Sequence, residues 1–138
     1  MKEFHVSMLA AESSFYEGPC ESLVIPSTEG EYGILANHSN MVAAVVPGEL
    51  RYTLPGQAPQ IAFVSSGLIK VANNSVLILA DIMERPQEID ANRAKRAEEA
   101  AREELMQKLS EQEYTMTRMR LARAINRMRV KEKSVKKD

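Results

Sequence analysis

Short apolar segments separated by turn residues fill the first 84 residues of the chain. The segments are rich in β-branched side chains, and Gly, Pro or Asn recurs between them at a spacing typical of β-strands. Because no segment leaves room for a crossover helix, the pattern predicts an antiparallel sandwich or barrel over residues 1–84. The predicted strands are EFHVSML, ESLVIPS, GEYGIL, MVAAVV, ELRYTL, QIAFVS, LIKVA and SVLILADI.

The pattern changes at Pro86, and residues 85–138 are predicted to be helical. From Asp90 on, apolar positions recur at spacings of three and four, as on one face of an α-helix, and Asp90 would make a good cap for this helix. Ser110 and Glu113 have the spacing of a capping box, which predicts that a second helix begins near residue 111. The first apolar stripe contains Ala94, Ala97, Ala101, Leu105 and Leu109, and the second contains Tyr114, Leu121, Ile125 and Met128.

These two stripes predict a helical hairpin with an alanine-lined seam. No Gly or Pro follows Gln87, so no helix-breaking residue prevents the two helices from joining into one continuous rod. The helical half of the chain is therefore predicted to be an element with two states, a closed hairpin and an extended rod.

Charge divides the chain at the same place. Residues 1–84 contain three basic and nine acidic residues, whereas residues 85–138 contain fifteen basic and ten acidic residues. The longest apolar run, VLILA, is too short to cross a bilayer, and the amino terminus lacks the pattern of a signal or transit peptide. The single cysteine, Cys20, has no partner for an internal disulfide. We expect a protein that does not insert into a membrane.

The sequence contains no pattern typical of a catalytic site. Phosphate-loop, GxGxxG, HExxH, CxxC and GxSxG patterns are all missing. His5 and His38 have no second ligand at metal-binding spacing. We therefore predict neither a catalytic residue nor a metal site, and a chain that is not an enzyme.

A stripe of basic side chains follows one face of the second predicted helix. Its members are Arg120, Arg123, Arg127 and Lys131, with Arg118 beside them. The stripe is either a solvated helix face or a binding surface for an acidic protein or a nucleotide phosphate, because guanidinium groups suit both carboxylates and phosphates. Nucleic acid is disfavoured, because interleaved aromatic residues are missing and the first half of the chain is acidic.

Four segments together resemble the epsilon subunit of F-type ATP synthases. They are EGEYGILANHSNMVAAVVPGEL (29–50), FVSSGLIKVANNSVLILAD (63–81), IDANRA (89–94) and RAINR (123–127). The resemblance implies a flattened antiparallel β-sandwich followed by a two-helix hairpin. It also implies a non-catalytic place at the foot of the rotor stalk, bound to the gamma subunit and the c ring, on the cytoplasmic face of the bacterial inner membrane rather than on a plastid thylakoid.

The same resemblance assigns contact residues on the sandwich. Glu29, Glu31 and Tyr32 are expected to face the c ring, although Glu31 also fits a solvated turn residue. His38, Ser39, Asn40 and Met41 are expected to face gamma. Ala36 and Asn37 replace a Pro-Gly pair that is common in the family, which alters the stiffness of this turn.

The resemblance implies a regulatory mechanism for the helices. When they extend, the basic stripe of Arg118, Arg120, Arg123, Arg127 and Lys131 would reach acidic loops of the beta and alpha subunits and block ATP hydrolysis. No cofactor is required, but some bacterial members bind ATP as a regulatory ligand on the closed hairpin. By this resemblance Glu84, Ile89, Asp90 and Ala94 would lie near adenine and ribose, and Arg93, Arg123 and Arg127 near the phosphates.

Ala100 stands where some ATP-binding members have a further Arg, and this departure lowers the expected affinity. The alternative interpretation of the chain is a stand-alone nucleotide-sensing module, in which the sandwich is only a scaffold.

Overall fold

The computed structural model describes residues 2–136, with side chains described as far as residue 134. The chain divides into two compact units between Arg85 and Pro86. The first unit consists of β-strands and the second of helices.

Ten strands form the first unit. They are β1 (Phe4–Ala10), β2 (Ser14–Cys20), β3 (Ser22–Ser27), β4 (Gly30–Leu35), β5 (Met41–Val45), β6 (Gly48–Thr53), β7 (Gln60–Val64), β8 (Gly67–Ala72), β9 (Ser75–Ala80) and β10 (Met83–Glu84). All eight predicted strands are present. The prediction missed β2 and the two-residue β10. Strand β2 contains Gly18 and Pro19, which are poor strand formers, but it lies at a sheet edge, where Pro is tolerated.

Neighbouring strands follow the order β10-β7-β6-β3-β5-β8-β9-β1-β2, and β4 pairs with β3 outside this path. The pairings are antiparallel, as predicted, except that β1 and β9 run parallel in register, with Val6 opposite Val76 and Met8 opposite Ile78. Strands β1 and β9 are separated by most of the sandwich in sequence, so a long connection joins them and a tight hairpin does not fix their direction. The predicted antiparallel sandwich is confirmed, with this one parallel pair as a difference.

The core of the sandwich takes every second residue from most strands. Val6, Leu23, Leu50, Ile69 and Ile78 are all fully buried in one cluster, and they come from five strands on both sides of β5 in the sheet order. Alternation of inward and outward side chains along each strand places the polar residues on the outer faces. The sheet therefore closes on a single core that is mostly aliphatic and includes Phe4, Phe15 and Tyr52.

A glycine and the cysteine of the sandwich occupy tightly packed positions. A Cβ atom at Gly67 would lie only 2.0 Å from the Leu79 carbonyl oxygen, so β8 and β9 approach too closely at this point for any side chain. Cys20 is fully buried, and burial raises the pKa of its thiol. Cys20 is thus a packing residue with low reactivity.

The second unit begins with a 3₁₀ turn, Pro86–Glu88, and continues with α1 (Ala91–Leu105) and α2 (Glu111–Lys136). Asp90 is the amino-terminal cap of α1, where its Oδ1 accepts a hydrogen bond from the Arg93 backbone N–H at 3.1 Å. The Ser110 Oγ accepts one from the Glu113 N–H at 3.2 Å, so both predicted helix starts are confirmed. The two helices pack against each other as the predicted hairpin.

The residues of the seam differ in part from the prediction. Ala94 and Ala101 are buried on α1, but Ala97 is exposed, and Tyr114 on α2 is 46% exposed. The most buried residues of α2 are Thr117, Ala124 and Val130, whereas Leu121, Ile125 and Met128 are half-buried. The predicted stripe on α2 was chosen by side-chain hydrophobicity, but close packing of helices favours small side chains at the contact and pushes larger ones to its flanks.

Candidate functional site

A cleft of about 330 Å³ lies between α1 and α2. The α1 wall is mostly alanine, which lets the longer arginine side chains of α2 reach across the cleft. The lining residues are Arg93, Ala97, Ala100, Ala101 and Glu104 from α1, and Arg120, Arg123, Ala124 and Arg127 from α2.

The charge of this cleft is strongly positive, because four guanidinium groups share it with the single carboxylate of Glu104. Glu104 Oε2 lies 3.4 Å from the Arg120 guanidinium. The side chains of Arg93 and Arg123 have no ion-pair partner within the described part of the chain. Clustered guanidinium groups with unused donors bind phosphate or carboxylate oxygens well, so the arrangement is that of an anion site.

The cleft contains some of the predicted nucleotide residues and not others. The three predicted phosphate contacts, Arg93, Arg123 and Arg127, all line the cleft. Ile89 and Ala94 are buried outside the lining. The Asp90 carboxylate caps α1, and Glu84 lies in β10 of the sandwich, where it pairs with Phe63.

Six lining residues were not among the predicted nucleotide contacts, and two of them, Arg120 and Glu104, are charged. Arg120 was assigned only to the inhibitory stripe, and Ala100 was noted only as a missing arginine. Glu104 was overlooked because the α1 stripe was continued to Leu105. Its spacing of three residues from Ala101 was the signal that places Glu104 on the same helix face.

The basic stripe of α2 is only partly solvated in this conformation. Arg120, Arg123 and Arg127 border the cleft opposite α1, and the Lys131 Nζ donates a hydrogen bond to the Pro86 carbonyl oxygen at 3.0 Å. Arg118 is exposed, with its guanidinium 5.8 Å from the centre of the Tyr114 ring. The closed hairpin therefore keeps most of the stripe turned towards its own first helix.

On the sandwich, Glu31 of β4 and Glu49 of β6 flank one arginine, Arg51 of β6. Arg51 donates hydrogen bonds to the Glu31 carboxylate, and a further one to Glu49 at 3.0 Å. Hydrogen bonding to Glu31 raises the pKa of the Arg51 guanidinium, so this charge is permanent. Glu31 and Glu29 are exposed. Two carboxylates paired with one guanidinium leave this face with a net negative charge.

The loop that carries His38 is fixed by asparagine side chains. The Asn37 N–H donates to Asn74 Oδ1 at 2.6 Å, and the Asn73 N–H donates to Asn40 Oδ1 at 3.1 Å. Asn37, Asn73 and Asn74 all have positive φ, which asparagine tolerates better than most residues.

This loop also joins the two predicted contact faces. The His38 ring makes an edge contact with the Tyr32 ring, with centroids 5.6 Å apart, so residues expected to face gamma and the c ring touch each other. His38 Nδ1 lies 2.8 Å from the Ser39 carbonyl oxygen, and Met41 is half-buried against the core. Ser39 and Asn40 are exposed.

An exposed apolar row begins directly after this loop. Val42 is 65% exposed, Leu68 47% and Leu79 46%. Leu68 is paired with Leu79 across β8 and β9, and Leu79 with Leu9 across β9 and β1, so their side chains share the outer face of the sheet. The sequence analysis did not identify this row, because it assigned these residues to strands without specifying which face of the sheet each side chain occupies. Contiguous exposed apolar residues of this kind are typical of a protein interface.

Within residues 2–136, no helix is long and apolar enough to cross a membrane. The same described residues contain no group of three or more His, Cys, Asp or Glu side chains placed to hold a metal ion.

Comparison with known proteins places the chain in a family. Residues 3–86 match the family described as the ATP synthase delta/epsilon chain β-sandwich domain, and residues 87–132 match its long α-helix domain. The chain is 40% identical to the ATP synthase epsilon chain of Ruminiclostridium cellulolyticum over 128 residues, 93% of this chain and 95% of that one. It is 39% identical to the epsilon chain of Caldicellulosiruptor bescii, over 97% of both chains.

Solved structures share the fold at lower sequence identity. A chain of the Euglena gracilis mitochondrial ATP synthase aligns with a TM-score of 0.78 at 22% identity, over 96% of this chain and 81% of that one. A chain of the Tetrahymena thermophila mitochondrial ATP synthase central stalk and c ring aligns with a TM-score of 0.72 at 12% identity, over 94% and 97%. From the two family matches and the identity to bacterial relatives, this chain belongs to the family of ATP synthase epsilon chains.

Proposed function

We propose that the chain is a rotor subunit at the foot of the central stalk, which joins gamma to the c ring and restrains ATP hydrolysis through its helices. An epsilon chain is a subunit of the complex and not its catalytic part. The observation that carries the regulatory half is that Arg120, Arg123 and Arg127 are drawn into the cleft by the closed hairpin. Closure therefore turns these three arginines of the basic stripe towards α1, and opening would release them to an acidic partner. The place proposed is the cytoplasmic face of the bacterial inner membrane.

Two outer surfaces of the sandwich support the docking half of the proposal. The apolar row of Val42, Leu68, Leu79 and Leu9 follows directly after the His38 loop and suits an apolar face of gamma. The acidic face around Glu31 suits basic residues in the polar loops of a c ring. The asparagine contacts of the intervening loop keep the two surfaces in a fixed arrangement. Structures in which a similar fold lies in a central stalk and c-ring assembly add support.

Leu68→Glu is expected to weaken binding of the chain to purified gamma by about tenfold or more, because a charge would be desolvated at the centre of the apolar row. Met106→Glu, at an exposed apolar residue of the helical unit, away from the row and from the His38 loop, is the control and is expected to leave the affinity close to that of the parent chain. Surface plasmon resonance against immobilised gamma measures both. Equal loss in the two variants would contradict the role of the row, and no binding of the parent chain would favour a stand-alone nucleotide sensor.

The inhibitory role rests on the charge and length of α2. The helix runs from Glu111 to Lys136 without a Gly or Pro, and its arginine side chains can pair with acidic loops once they leave the cleft. By the family resemblance, the extended helices would reach acidic loops of the catalytic head. The beta and alpha subunits are therefore the proposed partners of the open state.

Truncation after Leu105, which removes α2, is expected to raise ATP hydrolysis by the assembled enzyme roughly fivefold or more, in the range of typical coupling between sites. Lys95→Ala with Arg96→Ala removes two exposed charges from α1 and is the control, expected to leave hydrolysis unchanged. A coupled-enzyme ATPase assay on complexes with equal subunit content measures the effect. Unchanged hydrolysis after truncation would refute the inhibitory role.

ATP is the ligand proposed for the cleft. The lining offers Arg93, Arg123 and Arg127 to three phosphate groups, and the alanine wall leaves space for them. The cleft exists only while α1 and α2 lie side by side, because both helices contribute arginines. A bound nucleotide would therefore favour the closed, non-inhibitory hairpin by binding it preferentially.

Arg123→Ala is expected to weaken ATP binding by about 10- to 100-fold, the loss typical of one hydrogen-bonded charged contact. Arg129→Ala, an exposed arginine of the same helix outside the cleft, is the control and is expected to bind like the parent chain. Ala100→Arg adds a guanidinium to the lining and is expected to tighten binding. Calorimetry on the isolated chain measures all three. The nucleotide role is rejected if millimolar ATP gives no binding heat with the parent chain.

A further inference from the structure

Close to the turn of the hairpin, a carboxylate on α1 bridges to two polar side chains of α2. The Thr117 Oγ1 donates a hydrogen bond to Glu104 Oε2 at 3.1 Å. The Arg120 guanidinium lies 3.4 Å from the same carboxylate oxygen and donates to the Thr117 hydroxyl at 3.4 Å. The three groups form a closed triangle across the helix contact, which we call the turn-end triad.

The burial of Thr117 shows that the turn-end triad belongs to the packed seam and is more than a surface ion pair. Its side chain is 1% exposed, whereas Glu104 and Arg120 are 41% and 50% exposed. An ion pair so exposed contributes little alone, because solvent and salt screen it. A buried hydroxyl, in contrast, is costly to leave without a partner. Loss of the Glu104 carboxylate would leave this hydroxyl without its acceptor inside the seam, so the two effects act together.

The position of Glu104 also matters for the anion site. Glu104 is the only carboxylate among the described lining residues of the cleft, and it engages Arg120, one of the four guanidinium groups there. A phosphate group and a carboxylate seek the same donors on a guanidinium. Their negative charges also repel each other across a cleft of this size.

We propose that Glu104 is a built-in anion of the cleft: through Thr117 and Arg120 it keeps the turn end of the hairpin closed when no phosphate ligand is bound, and it competes with such a ligand for Arg120. The first half of this inference concerns the chain alone, and the second half rests on the proposed nucleotide function. Glu104 thus lowers the population of the open hairpin in the absence of ligand. It also lowers the affinity of the cleft for polyphosphates.

Hydrogen exchange on the full chain without any ligand tests the first half. Glu104→Ala is expected to speed exchange of amides in residues 111–121 by about fivefold, because opening of the turn end becomes easier. Glu103→Ala removes the same side chain from the adjacent, exposed position and controls for helix propensity. Thr117→Val keeps the side-chain shape and is expected to speed exchange as Glu104→Ala does. Circular dichroism checks that every variant keeps the helix content of the parent.

Exchange in Glu104→Ala no faster than in Glu103→Ala would overturn the closing role. So would a Thr117→Val variant that exchanges like the parent chain, because the buried hydroxyl then carries no part of the contact.

Titration with inorganic tripolyphosphate and with ATP tests the second half. Glu104→Gln removes the negative charge, keeps the size of the side chain, and is expected to bind both ligands about fivefold more tightly than the parent, because Arg120 is freed and repulsion is relieved. Equal or weaker binding by Glu104→Gln would overturn the competition. Failure of both proteins to bind either ligand would overturn the competition together with the nucleotide function, whereas the ligand-free exchange rates still decide the closing role.

Discussion

Four guanidinium groups share one small cleft with a single carboxylate, and the free energy of the helical unit depends on how their repulsion is relieved. Like charges brought together in a partly desolvated space raise the free energy of the closed hairpin. Alanine side chains on α1 make the close approach of the helices possible, and the burial of Ala94, Ala101 and Ala124 favours it. The closed state is therefore held by packing and opposed by charge.

This opposition makes the hairpin sensitive to anions. Under the proposed function, a phosphate ligand would relieve the repulsion in the cleft and stabilise the closed state, whereas an acidic protein surface would relieve it on the open state. The same arginines would then serve both outcomes. The Glu104 carboxylate would offset a smaller part of the repulsion among the guanidinium groups. It would therefore favour the closed hairpin when no ligand is bound.

The sandwich has the opposite requirement, because a docking surface must be rigid. Its core residues come from strands distant in sequence, and the parallel pairing of β1 with β9 ties the first strand to the last hairpin. The close approach at Gly67 and the asparagine contacts around Asn37 and Asn74 fix the connections at its surface. A rigid first unit and the proposed two-state second unit would together fit a subunit that is anchored by one part and regulates with the other.

Local sequence signals predicted the helices and strands better than they predicted the contacts between them. The caps at Asp90 and Ser110 were predicted because a short side chain bonds to a backbone group three residues away, which is local chemistry. The edge strand β2 was missed because its Pro and Gly have poor strand propensity, and neighbouring strands, not propensity, place it in the sheet.

The candidate site was predictable only in part, for a related reason. Residues Arg93, Arg123 and Arg127 were found through resemblance, and the structure brings them into one cleft. Glu104, Thr117 and the apolar row at Leu68 were missed because their roles depend on the rotation of one helix against another, or on which face of a sheet is left uncovered. A single sequence does not specify either of these.

The distance between the two helices tests the central claim, that an anion controls the closed state, most directly. Spin labels at Lys95→Cys and Arg129→Cys report it, because both positions are exposed while the native Cys20 is buried. Pulsed electron spin resonance on the full chain is expected to show a short and a long distance without ligand, with the short population increasing as ATP is added. A distance distribution that ATP leaves unchanged, in a chain shown by calorimetry to bind it, would contradict the account.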